Sequence, residues 1–214
     1  MEQIDDLFEY VSILLIFINA CLYIWSYRNF NKSIALKYFS VYLLISFTII
    51  LASTIMAKIP MNNLYLSHYY FISQFILLSL FYRSLFLKKQ KKLVVYFLFG
   101  ILFVLAFKYY LKPSLYFKFN ILEIFITSFP IIVYSIIHLY NSLSRKGEYM
   151  FINSGILIYL TISTLIFILG DYLSGLNNGT ISYIWMINKT LYIVYLVLIL
   201  VEWKKLNLQA KNKS

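Results

Sequence analysis

One cysteine, three prolines, six glycines and eight acidic residues are all that this chain of 214 residues holds of those types. The lone Cys21 excludes an intramolecular disulfide and any multi-cysteine metal site. So few prolines and glycines exclude a collagen-like or linker-rich chain, and no long polar stretch is left to build a separate soluble domain. Charge is scarce as well, at 13% of residues against the ~25% usual in soluble domains. Water is therefore not the solvent of most of the chain.

What is present is apolar: 62% of residues are hydrophobic and 20% aromatic, in continuous runs. Barrel strands would alternate at every second residue, so continuous runs predict helices. A span needs ~20 apolar residues, at ~1.5 Å each, to cross ~30 Å of hydrocarbon. Seven segments qualify: 7–27, 35–56, 64–86, 93–109, 119–140, 149–169 and 181–203. The expected fold is all-α, a polytopic membrane protein of seven transmembrane helices, with residues 1–214 forming a single transmembrane domain.

A net charge of +11 would suggest nucleic acid in a soluble protein, but here the bases sit in short connections between apolar runs, so no direct nucleic-acid binding is expected. With the N-terminus outside and the C-terminus inside, the inner connections hold Arg28, Lys32, Lys37, Arg83, Lys88, Lys89, Lys91, Lys92, Arg145, Lys146, Lys204, Lys205, Lys211 and Lys213. The outer ones hold Lys58, Lys108, Lys112 and Lys118. Fourteen against four sets the expected orientation, in a bacterial cytoplasmic (inner) membrane. The Lys88 to Lys92 cluster reads as an ordinary inner loop that can also touch anionic headgroups. The acidic start, with Glu2, Asp5, Asp6 and Glu9, lacks the basic region of a cleavable signal peptide, so the first helix is expected to stay.

A shift of 115 residues overlays helices one to three on five to seven and brings Asn62, Asn63 and Ser67 onto Asn177, Asn178 and Ser182. This suggests a 3+1+3 parallel repeat of a kind that some carriers use.

Ionisable groups in hydrocarbon cost ~2.5–3.5 kcal/mol on insertion scales, so each invites a search for its partner. Glu123 lies one turn below the outer end of helix five and Lys189 two turns below that of helix seven. Their depths differ by ~6 Å, so the two are expected to pair directly or through water. His68 at the depth of Glu123, Gln74 lower on the same helix and Asp171 at the outer mouth of helix six complete a candidate ligand-binding cavity. His68 and Gln74 differ by ~240° around the helix and cannot both face its centre, whereas Tyr70 and Gln74 share a face. The plainer alternative is a packing network in which Glu123, Lys189, Asn188 and Asn153 satisfy one another.

Catalytic chemistry is poorly supplied. His68 and His138 fall at opposite ends of their helices and cannot share a metal, so no metal, cofactor or catalytic residue is assigned. Glu123, Asp171 and His68 keep an intramembrane lipid-modifying enzyme open as an alternative. Lys189 in helix seven is similar to the chromophore lysine of retinal-binding rhodopsins, but helix three reads Ser67-His68-Tyr69-Tyr70 without their counterion Asp, and Trp185 stands where microbial members carry Asp. Of the glycosylation sequons only Asn178-Gly179-Thr180 is placed accessibly, and it reads as a turn. Tyr65, Tyr69, Trp185 and Trp203 fit interface anchoring.

Asn62-Asn63-Leu64, His68 and the run from Phe75 to Tyr82, with Phe151 to Tyr159 and Trp185, resemble the pattern of an uncharacterised family of bacterial seven-helix membrane proteins. That resemblance implies an acidic residue where this chain has Gln74, and genes near sensor kinases, but no known activity. In size and apolar character alone the chain is also similar to membrane accessory proteins encoded beside RNA-targeting CRISPR nucleases, which would imply a defence-associated role. The leading expectation is a non-enzymatic ligand-sensing or regulatory component, with the lipid bilayer and a membrane or cytoplasmic signalling partner around it and the oligomeric state open. A small-solute carrier, with Gln74 and Lys189 as repeat-related positions, is the first alternative.

Overall fold

The computed structural model describes residues 2–30, 32–59, 61–144, 147–170 and 178–211. Its α-helices are α1 (Glu2–Asn29), α2 (Ile34–Lys58), α3 (Leu64–Leu85), α4 (Lys88–Leu111), α5 (Ile121–Ser144), α6 (Met150–Ile168) and α7 (Asn178–Lys211), with a short 3-10 turn, Pro113–Phe117, after α4. Among the described residues seven helices are long and apolar enough to cross a membrane, so the chain is a multi-pass membrane protein in contact with lipid.

Local chemistry sets the helix ends. Ser33 caps α2, its hydroxyl accepting the Leu36 N–H at 3.2 Å. Between α3 and α4 only Phe86 and Leu87 intervene, both extended, and the Gln90 side chain accepts the Leu87 N–H at 3.1 Å. The first turn of α4 is Lys88, Lys89, Gln90 and Lys91, so the helix begins five residues before the expected span at 93–109. Hydropathy marks the part of a helix in hydrocarbon, whereas lysine is a good helix former and carries the backbone ladder on into the headgroups. The extension of α7 to Lys211 has the same cause.

Laterally, α1 packs on α2, α2 on α3, α3 on α5, α5 on α6, α6 on α7, and α7 returns to α1. Six helices thus close a ring, while α4 lies outside it against α3 and, more lightly, α5. We call the face where α1 begins the upper face and its opposite the lower face. Two seams join parallel helices. At α7/α1, Asp5, Asn19, Tyr23 and Ser26 bond in sequence to Lys189, Leu196, Ile199 and Trp203. At α3/α5, His68 meets Glu123 and, farther down, Tyr82 meets Tyr134.

Buried polar side chains stitch the ring where hydrophobic driving force between helices is lacking. Asn19 and Tyr23 donate to the α7 carbonyls of Leu196 and Ile199 at 3.0 and 2.9 Å. Asn153 of α6 accepts from Tyr82 at 2.8 Å and from Ser135 at 2.9 Å, linking α3, α5 and α6. The expected network of Glu123, Lys189, Asn188 and Asn153 is therefore not formed: Asn153 is committed to Tyr82 and Ser135, and Asn188 Oδ1 has no hydrogen-bond partner. Trp203, expected as an interface anchor, donates its indole N–H to Ser26 at 2.8 Å and so joins α7 to α1. At the α6/α7 contact a Cβ on Gly155 would lie 2.8 Å from the Tyr195 ring, so only glycine permits that approach.

Candidate functional site

Two features share the upper half. The first is a buried polar cluster on the α3/α5 seam. Asn120 caps α5, its Oδ1 accepting the Glu123 N–H at 3.4 Å, which sets the Glu123 side chain one turn into the helix facing α3. There His68 Nδ1 lies 3.0 Å from Glu123 Oε2, with the two side chains 3% and 1% exposed. Tyr109, near the end of α4, donates to the same carboxylate oxygen and sits 2.9 Å from His68 Nδ1. Asn120 donates to the Tyr109 hydroxyl at 3.2 Å and accepts from Lys108 at 3.0 Å. The Lys108 ammonium, counted among the outer bases, thus turns to Asn120.

The 3-10 turn covers this cluster. Tyr116 stacks on the His68 ring at 5.6 Å, and its hydroxyl donates to Tyr69 at 2.5 Å. That hydrogen bond pushes the Tyr116 phenol up to about 12, because the proton it donates is harder to remove. Imidazole, carboxylate and phenol thus meet at three atoms, His68 Nδ1, Glu123 Oε2 and the Tyr109 hydroxyl. Glu123 Oε1 and His68 Nε2, both buried, have no hydrogen-bond partner.

The second feature is a cavity of about 330 Å³ within the ring, between α2, α3, α6 and α7. Its walls are largely apolar and aromatic, with Phe71, Phe119 and Phe167 among them, and Tyr70, Tyr159 and Tyr192 add phenol groups from three helices. Behind Tyr70 lies Gln74, whose amide donates to the Tyr70 and Tyr42 hydroxyls at 3.4 and 3.3 Å, and Tyr195 donates to Tyr42 at 3.3 Å. A hydrogen-bonded chain of phenols therefore runs from the cavity wall into the packed interior. Tyr70 and Gln74 share a face, as their spacing of four predicts.

The five sequence candidates are divided among separate places. His68 and Glu123 come together, Gln74 stands behind the cavity wall, and Asp171 lies outside the described residues. Lys189 does not pair with Glu123: its ammonium is 3.0 Å from Asp5 of α1, with the two side chains 37% and 35% exposed. None of the described four is among the cavity's lining residues. Tyr109 and Asn120 of the cluster, and Tyr159 and Tyr192 of the cavity, escape sequence reading because the direction a side chain takes within the bundle depends on which helices stand beside it. The Asn120-x-x-Glu123 spacing, an N-cap signature, was the available signal for the cluster. His138 bonds the Glu148 carbonyl at 2.8 Å on the lower face, far from His68. No family model, no curated protein and no solved structure matches this chain.

Proposed function

We propose that this membrane protein is a non-enzymatic ligand-sensing or regulatory component whose ring cavity takes a small, mostly apolar molecule carrying one or two hydrogen-bonding groups. The observation that carries this reading is the cavity of about 330 Å³ with phenols from three helices among aromatic walls. Its volume falls within the ~300–1,000 Å³ of ligand pockets, and a mainly apolar lining with a few polar groups is their usual chemistry. The chain from Tyr70 through Gln74 to Tyr42 and Tyr195 supports a readout, since a ligand bonded to Tyr70 would shift contacts among α2, α3 and α7. The excess of bases at the lower face favours that face as cytoplasmic, with the cavity reached from outside and the signal passed inward to a partner. A bacterial inner membrane is the setting this implies.

A small-solute carrier is the second reading. It is favoured by the closed ring in which α1–α3 and α5–α7 flank an outlying α4, the arrangement that a 3+1+3 repeat would give. Acid–base work on lipid has less support, because His68 and Glu123 are 3% and 1% exposed and stand off the cavity.

Native mass spectrometry of the protein purified from its own membranes tests the reading. Wild type is expected to retain a small molecule that Ile49→Trp, which fills the cavity, loses and Tyr192→Phe holds more weakly. The same bound species on all folded variants would sink it. If the molecule identified is then taken up by proteoliposomes, the carrier reading replaces the sensor.

A further inference from the structure

The lower face carries a second cavity, of about 490 Å³, where the start of α2, the end of α3 and the first turn of α4 meet. Arg83, Lys91, Tyr38, Ser33, Ser84 and Glu148 supply its polar lining, and the remainder is apolar side chain from α2 and α3. Two of these polar groups are already committed: Ser33 caps α2 and shares a hydrogen bond with Tyr149, and Ser84 donates to the Phe81 carbonyl at 2.6 Å. The other donors are not. Among the described residues the Arg83 guanidinium and the Lys91 ammonium form no ion pair, and the Tyr38 hydroxyl has no hydrogen bond.

The position of the cations is also unfavourable as it stands. A helix N-terminus carries partial positive charge and disfavours cations within its first turn. Yet α4 opens with Lys88, Lys89, Lys91 and Lys92 and no acid in that turn. Of these four, Lys91 lines the cavity, and an anion held there would compensate its unfavourable place in the first turn.

We infer that this cavity binds a phosphodiester group, with the Arg83 fork, the Lys91 ammonium and the Tyr38 hydroxyl all donating to its two non-bridging oxygens. Two cations against the one carboxylate of Glu148 leave the lining one positive charge, which matches the single negative charge of a phosphodiester. Such a group arrives either on a phospholipid, whose first acyl carbons would meet the apolar wall, or on a soluble diester.

The experiment is a titration of the full chain with phosphatidylglycerol in detergent, read by native mass spectrometry, beside the soluble headgroup glycerophosphoglycerol. Arg83→Gln/Lys91→Gln is expected to weaken phosphatidylglycerol retention about tenfold, the loss of one bidentate and one point-charge contact. Lys88→Gln/Lys92→Gln removes the same charge outside the cavity and is expected to change retention less than about twofold. Displacement of the lipid by equimolar glycerophosphoglycerol supports the site with a soluble diester as its ligand, whereas retention of the lipid alone supports a membrane source. Equal losses in the two double variants would overturn the proposal in favour of general surface charge, as would unchanged retention in the cavity variant. Should the double variant not fold, Tyr38→Phe decides: a loss of about threefold supports the site, and none overturns it.

Discussion

The two seams that close the ring begin with the same elements, an acid–base pair between parallel helices near the upper face, and treat it oppositely. At α3/α5 the His68–Glu123 pair is 3% and 1% exposed, while at α7/α1 the Lys189–Asp5 pair is 37% and 35% exposed. The difference lies in what stands outside the ring. Helix α4 and its 3-10 turn pack over the first seam, and Tyr109 and Tyr116 from them close on His68. Nothing comparable contacts the α7/α1 pair among the described residues, and that seam is held lower down by Asn19, Tyr23 and Trp203 on backbone and hydroxyl acceptors. Burial of an acid–base pair here depends on a covering element rather than on the pair itself. The covered pair then becomes costly to break and the open one nearly neutral.

The contrast can be broken at its strong side first. His68→Leu leaves the Glu123 carboxylate with Tyr109 alone and is expected to cost about 3 kcal/mol in thermal or denaturant unfolding in detergent, with His68→Leu/Glu123→Leu recovering most of it. Tyr109→Phe removes the bond contributed by the covering helix and is expected to cost about 2 kcal/mol, less than the loss of His68 but more than any change at the open pair. At that open pair, Asp5→Asn is expected to cost less than about 1 kcal/mol and to lose even this in high salt. An Asp5→Asn variant as unstable as His68→Leu would abolish the distinction between the seams.

The smallest effect sharpens the role of the cover. Tyr116 is held up at about 12 by its hydrogen bond to Tyr69, so in Tyr69→Phe its titration, followed by phenolate absorbance, is expected to fall toward ~10. Because the folded value is raised, the contribution of this bond to stability is complete below ~10 and disappears as pH rises through about 12. A Tyr116 that titrates unchanged in that variant would mean that the hydrogen bond does not hold the turn.

The seven spans were legible because a continuous apolar run has one meaning in a bilayer, and His68 and Glu123 were legible as neighbours in depth because rise per residue is constant. What hydropathy does not encode is lateral order. Nothing in the runs says that α3 lies beside α5 or that α7 closes on α1, and so Lys189 was matched to the wrong acid. Its actual partner, Asp5, stands before the expected first span at 7–27 and so counted as lying outside it, whereas α1 starts at Glu2 and carries Asp5 on the helix. The cavity tyrosines share this problem, since their inward direction follows from the ring and not from their own spacing.

The place of α4 outside the ring bears on how the protein enters the bilayer. A chain inserted span by span reverses direction at each one, so the number of spans between two bundles fixes whether they enter in the same sense. One helix between α1–α3 and α5–α7 makes that number odd, and both triples start from the same face. Were α4 deleted, α5–α7 would enter inverted, Glu123 would arrive at the depth of the lower face with His68 left at the upper, and both parallel seams would become antiparallel. The helix left outside the ring is thus the one that sets the parity on which both seams depend.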